Sequence, residues 1–290
     1  MYTILLVFLV VFTSQLLVSL IFQLRKITVL ESSQRSVHVS LITACLGGIL
    51  LFFVSCILHS QVNDSYDGII ILSAGVACII AAIAALLLAS SDVIFIKDKD
   101  NLFIYIISEL QTASMSMVRN PNAILRFAIF HNYWRLVLVG ASVGVTLTAL
   151  QYALAIANTS HTIIGISPLY LVLGLVVSVI SFVVLFILLF RVASLYPAHE
   201  STRLVAVVLL SAAVFATIYI VDSSIITSPV SQRQTKSRVV IPEHILVPVC
   251  LLTSLCSSLV IHQQCSAEGR KHHIAYRRLV ASLPSERRDQ

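Results

Sequence analysis

Little of this sequence is charged. Only 11 % of its 290 residues are Asp, Glu, Lys or Arg, and 58 % are hydrophobic, whereas an ordinary soluble domain carries about 25 % charged residues. With a mean hydropathy of +0.97, the composition excludes a soluble globular domain and implies an integral membrane protein. Catalytic groupings are missing too. There is no nucleophile beside an ordered His and acid, no Gly-rich phosphate loop and no carboxylate pair inside an apolar run, so no enzyme activity is expected. The six cysteines at 45, 56, 78, 250, 256 and 265 show neither zinc-ligand spacing nor a secreted disulfide framework. All but Cys265 fall inside apolar runs, where a small buried thiol packs as a hydrophobe.

What is present is seven apolar runs of bilayer-spanning length, at about 3–23, 39–58, 69–90, 136–157, 169–190, 204–224 and 244–263. Each is close to the roughly 20 residues that the hydrocarbon core demands of a helix. Backbone groups inside the membrane must be satisfied within their own helix, which excludes an open sheet there. The fold class expected is an all-α seven-transmembrane helix bundle occupying residues 1–264, with an inner loop at 91–135 and a basic cytoplasmic tail at 265–290. The first run lacks a basic n-region and a small-residue cleavage site and reads as a retained helix.

Basic residues orient the chain. Sixteen of the 19 Lys and Arg fall after the first, third and fifth runs or in the tail, and only Arg233, Lys236 and Arg238 fall on the other side. The expected topology is therefore N-terminus outside and C-terminus cytoplasmic, most simply in the plasma membrane. The sequons Asn63-Asp64-Ser65 and Asn158-Thr159-Ser160 both fall in loops assigned to the outside. The net charge of +6 needs no nucleic-acid partner, because basic residues on the inner side orient the chain and meet anionic lipid. The tail, with HHIAYRRLVASL, is expected to lie on the anionic inner leaflet, and Cys265 is a candidate palmitoylation site. The stretch NLFIYIISELQTASMSM in the inner loop is expected to form an interfacial helix before Asn120-Pro121.

A phrase recurs in the second, fourth and sixth runs: LITACLGGILLFFVSCIL, RLVLVGASVGVTLTALQYALA and RLVAVVLLSAAVFATIYIVDS. Aliphatic residues lead into a small-residue patch, formed in turn by Gly47-Gly48, by Gly140, Ala141 and Gly144, and by Ser211, Ala212 and Ala213, and then into bulky residues. Over roughly residues 5–225 this resembles the MHYT family of integral membrane sensor domains, in which a Gly-rich approach leads to Met-His-Tyr or Met-His-Phe. In the motif's place stand Val54-Ser55-Cys56, Leu150-Gln151-Tyr152 and Thr217-Ile218-Tyr219.

The resemblance implies internal two-helix repeats, a sensing role and copper held by the motif's Met and His residues. Copper suits imidazole and thioether, but the three histidine positions are here Ser55, Gln151 and Ile218, and amide, hydroxyl and alkyl groups are poor ligands for it. Neither copper nor another cofactor is expected. His59, His161 and His244 would lie at outer span ends or in loops. Even with Cys56 beside His59, they fall short of the three or four ligands that tight binding takes. Gln151 is expected to hydrogen-bond to a neighbouring helix, so that Gln151→Leu costs about 1 kcal/mol, and Asp222 to reach interfacial water.

The expected function is a sensor-like or signalling and interaction protein of the membrane, without metal. Residues 264–290 are too few for a cyclase or kinase output domain, so a separate cytoplasmic signalling protein would be the partner. Two alternatives stay open. A heptahelical receptor of the G-protein-coupled type fits the count and orientation, but Asp/Glu-Arg-Tyr and Asn-Pro-x-x-Tyr are missing and the repeat has no place there. A small-molecule transporter would want broken helices with charged midplane groups, yet Pro168 and Pro248 lie near outer ends.

Overall fold

The computed structural model describes residues 2–30, 33–59, 65–92, 129–159, 161–195, 200–229, 240–242 and 244–253, together with Phe95, Ile106, Ser108, Arg126, Cys256 and Leu259. Helices α1 (Tyr2–Leu30), α2 (Ser33–His59), α3 (Gly68–Ser90), α4 (Trp134–Ala157), α5 (Pro168–Ile187) and α6 (Glu200–Ser224) form the body. Among the described residues, six helices are long and apolar enough to cross a membrane. They coincide with the first six apolar runs. The seventh run is described as helix α7 over His244–Thr253, and its remainder lies largely outside the described residues. So do the tail at 265–290, the sequon at Asn63 and most of the expected interfacial helix.

Helix starts follow from local chemistry. Asp67 caps α3 by accepting from the Ile69 N–H at 3.0 Å, satisfying one of the donors a helix start leaves open. Pro168 opens α5, where its fixed φ suits the first turn and its missing N–H costs nothing. Before α4 the chain turns through Asn132 at φ 51°, the left-handed region that Asn tolerates better than most residues.

Outward-facing side chains are as apolar as the core. Ile69, Leu72, Val76 and Ile80 of α3, and Leu169, Val172, Val176, Ile180 and Val184 of α5, are all exposed. A belt of this kind suits hydrocarbon rather than water as solvent. Phe130, Tyr133 and Trp134 are exposed where α4 begins, as interfacial aromatic anchors are.

Helix contacts are set by glycine. A Cβ on Gly140 would stand 2.5 Å from Val183 Cα, and one on Gly144 2.8 Å from Val179 Cα; the α4 and α5 backbones approach too closely for any side chain between them. Gly48 meets α3 in the same manner, 3.0 Å from Ile79 Cα and Ala82 Cβ. Two hydrogen bonds cross these contacts: Cys78 Sγ donates to the Gly48 carbonyl at 3.7 Å, and Ser178 Oγ donates to the Gly144 carbonyl at 3.0 Å.

One end of the bundle carries strands that the sequence did not announce. β1 (Ser65–Asp67) pairs antiparallel with β4 (Val240–Pro242). β2 (His161–Ile166) pairs antiparallel with β3 (Ile225–Pro229), with a shift of register between Ile163 and Gly165. Tyr66 also bridges to Asn158. The runs HTIIGI and IITSP are rich in β-branched residues, which favour extended pairing. Because β1 through β4 sit beyond helix ends, the sheets leave the apolar part of the bundle wholly helical.

Candidate functional site

Polar side chains gather at two depths in the bundle. Near the strand end, Ser55 lies four residues before the end of α2, and Gln151 and Ile218 each six before the ends of α4 and α6. At the helical rise of about 1.5 Å per residue this is a layer roughly 6–9 Å below the strands. Ser55 and Gln151 are both 0 % exposed. Ser55 Oγ, Gln151 Oε1 and Gln151 Nε2 are buried and have no hydrogen-bond partner. The expectation that Gln151 bonds to a neighbouring helix is therefore corrected: it packs against its neighbours, and its amide is left unsatisfied. Thr217, also buried in the layer, differs in donating to the Ala213 carbonyl of its own helix at 2.7 Å.

The other motif positions divide. Ile218 is buried, while Tyr219 is 76 % exposed and faces away from the bundle. Tyr152 is half-buried, and its hydroxyl and that of Ser224 are 2.6 Å apart, joining α4 to the end of α6. Above the layer, His59 Nδ1 stands 3.4 Å from Asp222 Oδ1, and Asp222 is 47 % exposed, so this pair is at the interface rather than inside. Tyr66, the buried central residue of β1, donates from its hydroxyl to the His59 carbonyl at 3.4 Å. His161 lies in β2 and His244 opens α7. Among the described residues no group of three or more His, Cys, Asp or Glu side chains could hold a metal ion. Cys56, adjacent to Ser55, is a buried free thiol, as is Cys250 of α7.

The opposite end is built on buried charge. Arg191 Nη2 is 2.7 Å from Asp92 Oδ2, with the side chains 2 % and 5 % exposed. Asp92 follows the last turn of α3, and Arg191 lies in the π turn Leu188–Val192 that continues α5. Phe190, in the same turn, packs between Phe186 at 5.6 Å and Phe95 at 4.6 Å. Arg25, buried at the end of the apolar stretch of α1, donates to the Ser194 carbonyl at 2.8 Å. Arg203 of α6 lies 4.6 Å over the Phe22 ring, a cation–π contact.

Sequence reasoning counted Arg25, Arg191 and Arg203 only as flanking charges that set orientation, and missed the burial of Arg25, Arg191 and Asp92. The available signal was that Arg191 has apolar residues on both sides, in LLFRVA, and that Asp92 runs directly into an apolar stretch, in SSDVIF.

No family model matches the chain, and neither a curated protein nor a solved structure shows significant similarity to it.

Proposed function

We propose that the chain is a multi-pass membrane protein of the sensor-like or signalling and interaction type, built on MHYT-like two-helix repeats with Ser55, Gln151 and Ile218 in the places of the ligand histidines. The observation that carries this reading is Gln151, a fully buried amide with neither polar atom satisfied. An unsatisfied buried polar group costs about 1–3 kcal/mol, so stability does not account for an amide in this position. Polar groups inside membrane spans are by default functional.

The spacing of the helix contacts supports the repeat. Gly48 precedes Ser55 by seven residues, and Gly144 precedes Gln151 by the same seven. Cys78 lies ten residues beyond the start of α3 and Ser178 ten beyond the start of α5, and each donates to the carbonyl of its glycine. Two helix pairs of one chain thus share a contact, a donor position and a buried unsatisfied polar residue. The strand end is the outer face in this reading, the arginine end the cytoplasmic face, and the plasma membrane the site of residence. Output passes to a separate cytoplasmic protein.

Metal analysis of detergent-purified protein tests the metal-free part. Copper well below one equivalent is expected, both in the wild type and in Gln151→His, because a single imidazole does not make a site. Stoichiometric copper in either protein would overturn the reading.

A further inference from the structure

Between the polar layer and the buried ion pair the bundle is not filled. A cavity of about 110 Å³ lies among all six long helices, bounded by Leu17, Ala44, Gly47, Ala85, Phe182 and Leu210 among others, and Thr43 is the one lining residue with a polar side-chain group. Native interiors are packed to crystal-like density with few voids larger than a water molecule. Small side chains open this one. Gly47 and Ala44 of α2 and Ala85 of α3 stand where larger residues would project inward, and a Cβ at Gly47 would meet only Leu17 Cδ2, at 3.2 Å.

We infer that this cavity is a binding site for a compact apolar molecule of about the size of one benzene ring, independent of the polar layer. Water is disfavoured, since a buried water needs two to four polar partners and apolar cavities stay dry. Size limits the occupant: apolar cavities of about 150 Å³ accept benzene. Polar molecules are excluded, because a hydrogen-bonding group placed there would lose its water partners and find almost none in exchange. The cavity is partly open to its surroundings, so the compact size follows from the volume between the helices and not from closed walls. The surrounding bilayer supplies such a ligand by partition, so no aqueous channel is required.

The test uses fluorobenzene as probe and the full-length protein in lipid nanodiscs, followed by fluorine NMR against empty nanodiscs. The wild type is expected to give saturable binding above lipid partitioning. Ala85→Leu, which puts three further carbons into the space, is expected to weaken it by about tenfold or more. Leu210→Ala, which enlarges the cavity, is expected to keep the site and admit a bulkier probe such as fluoronaphthalene, so that misfolding of one variant does not decide the matter. Partitioning alone in the wild type, or equal binding by wild type and a folded Ala85→Leu, would overturn the assignment. So would binding that appears only after delipidation, which would give the cavity to a lipid acyl chain.

Discussion

Gln151 and Arg191 are both polar, both buried and opposite in their energetics. Gln151 has no partner to lose, so Gln151→Leu removes an unsatisfied amide and is expected to raise stability by about 1 kcal/mol, read as an increase in thermal midpoint in detergent. A clear loss of stability would mean that the amide is satisfied by bound water. Arg191 is held by Asp92 at 2.7 Å, and removing one member of a buried pair leaves the other charge uncompensated. Asp92→Asn is expected to cost about 3–5 kcal/mol, and the double change Asp92→Asn with Arg191→Met to recover most of it. The thermal midpoints of the two singles and the double decide this. Additive losses would show that the pair is not coupled.

Among elements, the contact between α4 and α5 is the least forgiving. At Gly140 a methyl group would press on Val183 Cα and N, backbone atoms that cannot rotate away. Gly140→Ala is expected to destabilise by about 1–3 kcal/mol. Gly165→Ala, where nothing lies within 4 Å, should stay within about 0.5 kcal/mol of wild type; thermal denaturation of both variants checks the contrast. The first six helices were legible because hydrophobic length is a property of one segment. The apolar runs end within about four residues of the observed helices, except at the end of α1 and the start of α2, where the helix continues six or seven residues past the apolar run. The strands were not legible. HTIIGI is too short to announce itself between two long apolar runs, and its partner IITSP lies beyond two further helices. The candidate layer was legible only as far as the spacing of Ser55 and Gln151 from their glycines. That their polar atoms lack partners depends on side chains of other helices.

The molecule as a whole obeys a parity rule. β1 and β4 pair directly, so an even number of crossings must separate them, and α3, α4, α5 and α6 supply four. By the same rule α7 starts at the strand end, like α3 and α5. With the basic residues concentrated towards the other end, the strands are expected to face outward and the tail inward. Labelling of Cys265 on intact cells with an impermeant maleimide should fail, and should succeed after permeabilisation. Labelling of intact cells would invert the whole arrangement.

The pairing of Ser65 with Pro242 and of Asp67 with Val240 also sets an order in time. β1 leaves the ribosome early, and its partner strand is made only after four further helices. At 5–20 residues per second the wait is on the order of ten seconds or more. During synthesis Tyr66 therefore has no β4 beside it, and the early helices must hold their places by their own apolar packing, the Gly48 contact and the Cys78 hydrogen bond across it. The strand cap acts as a closing clasp, fastened only when nearly all of the membrane domain has been made.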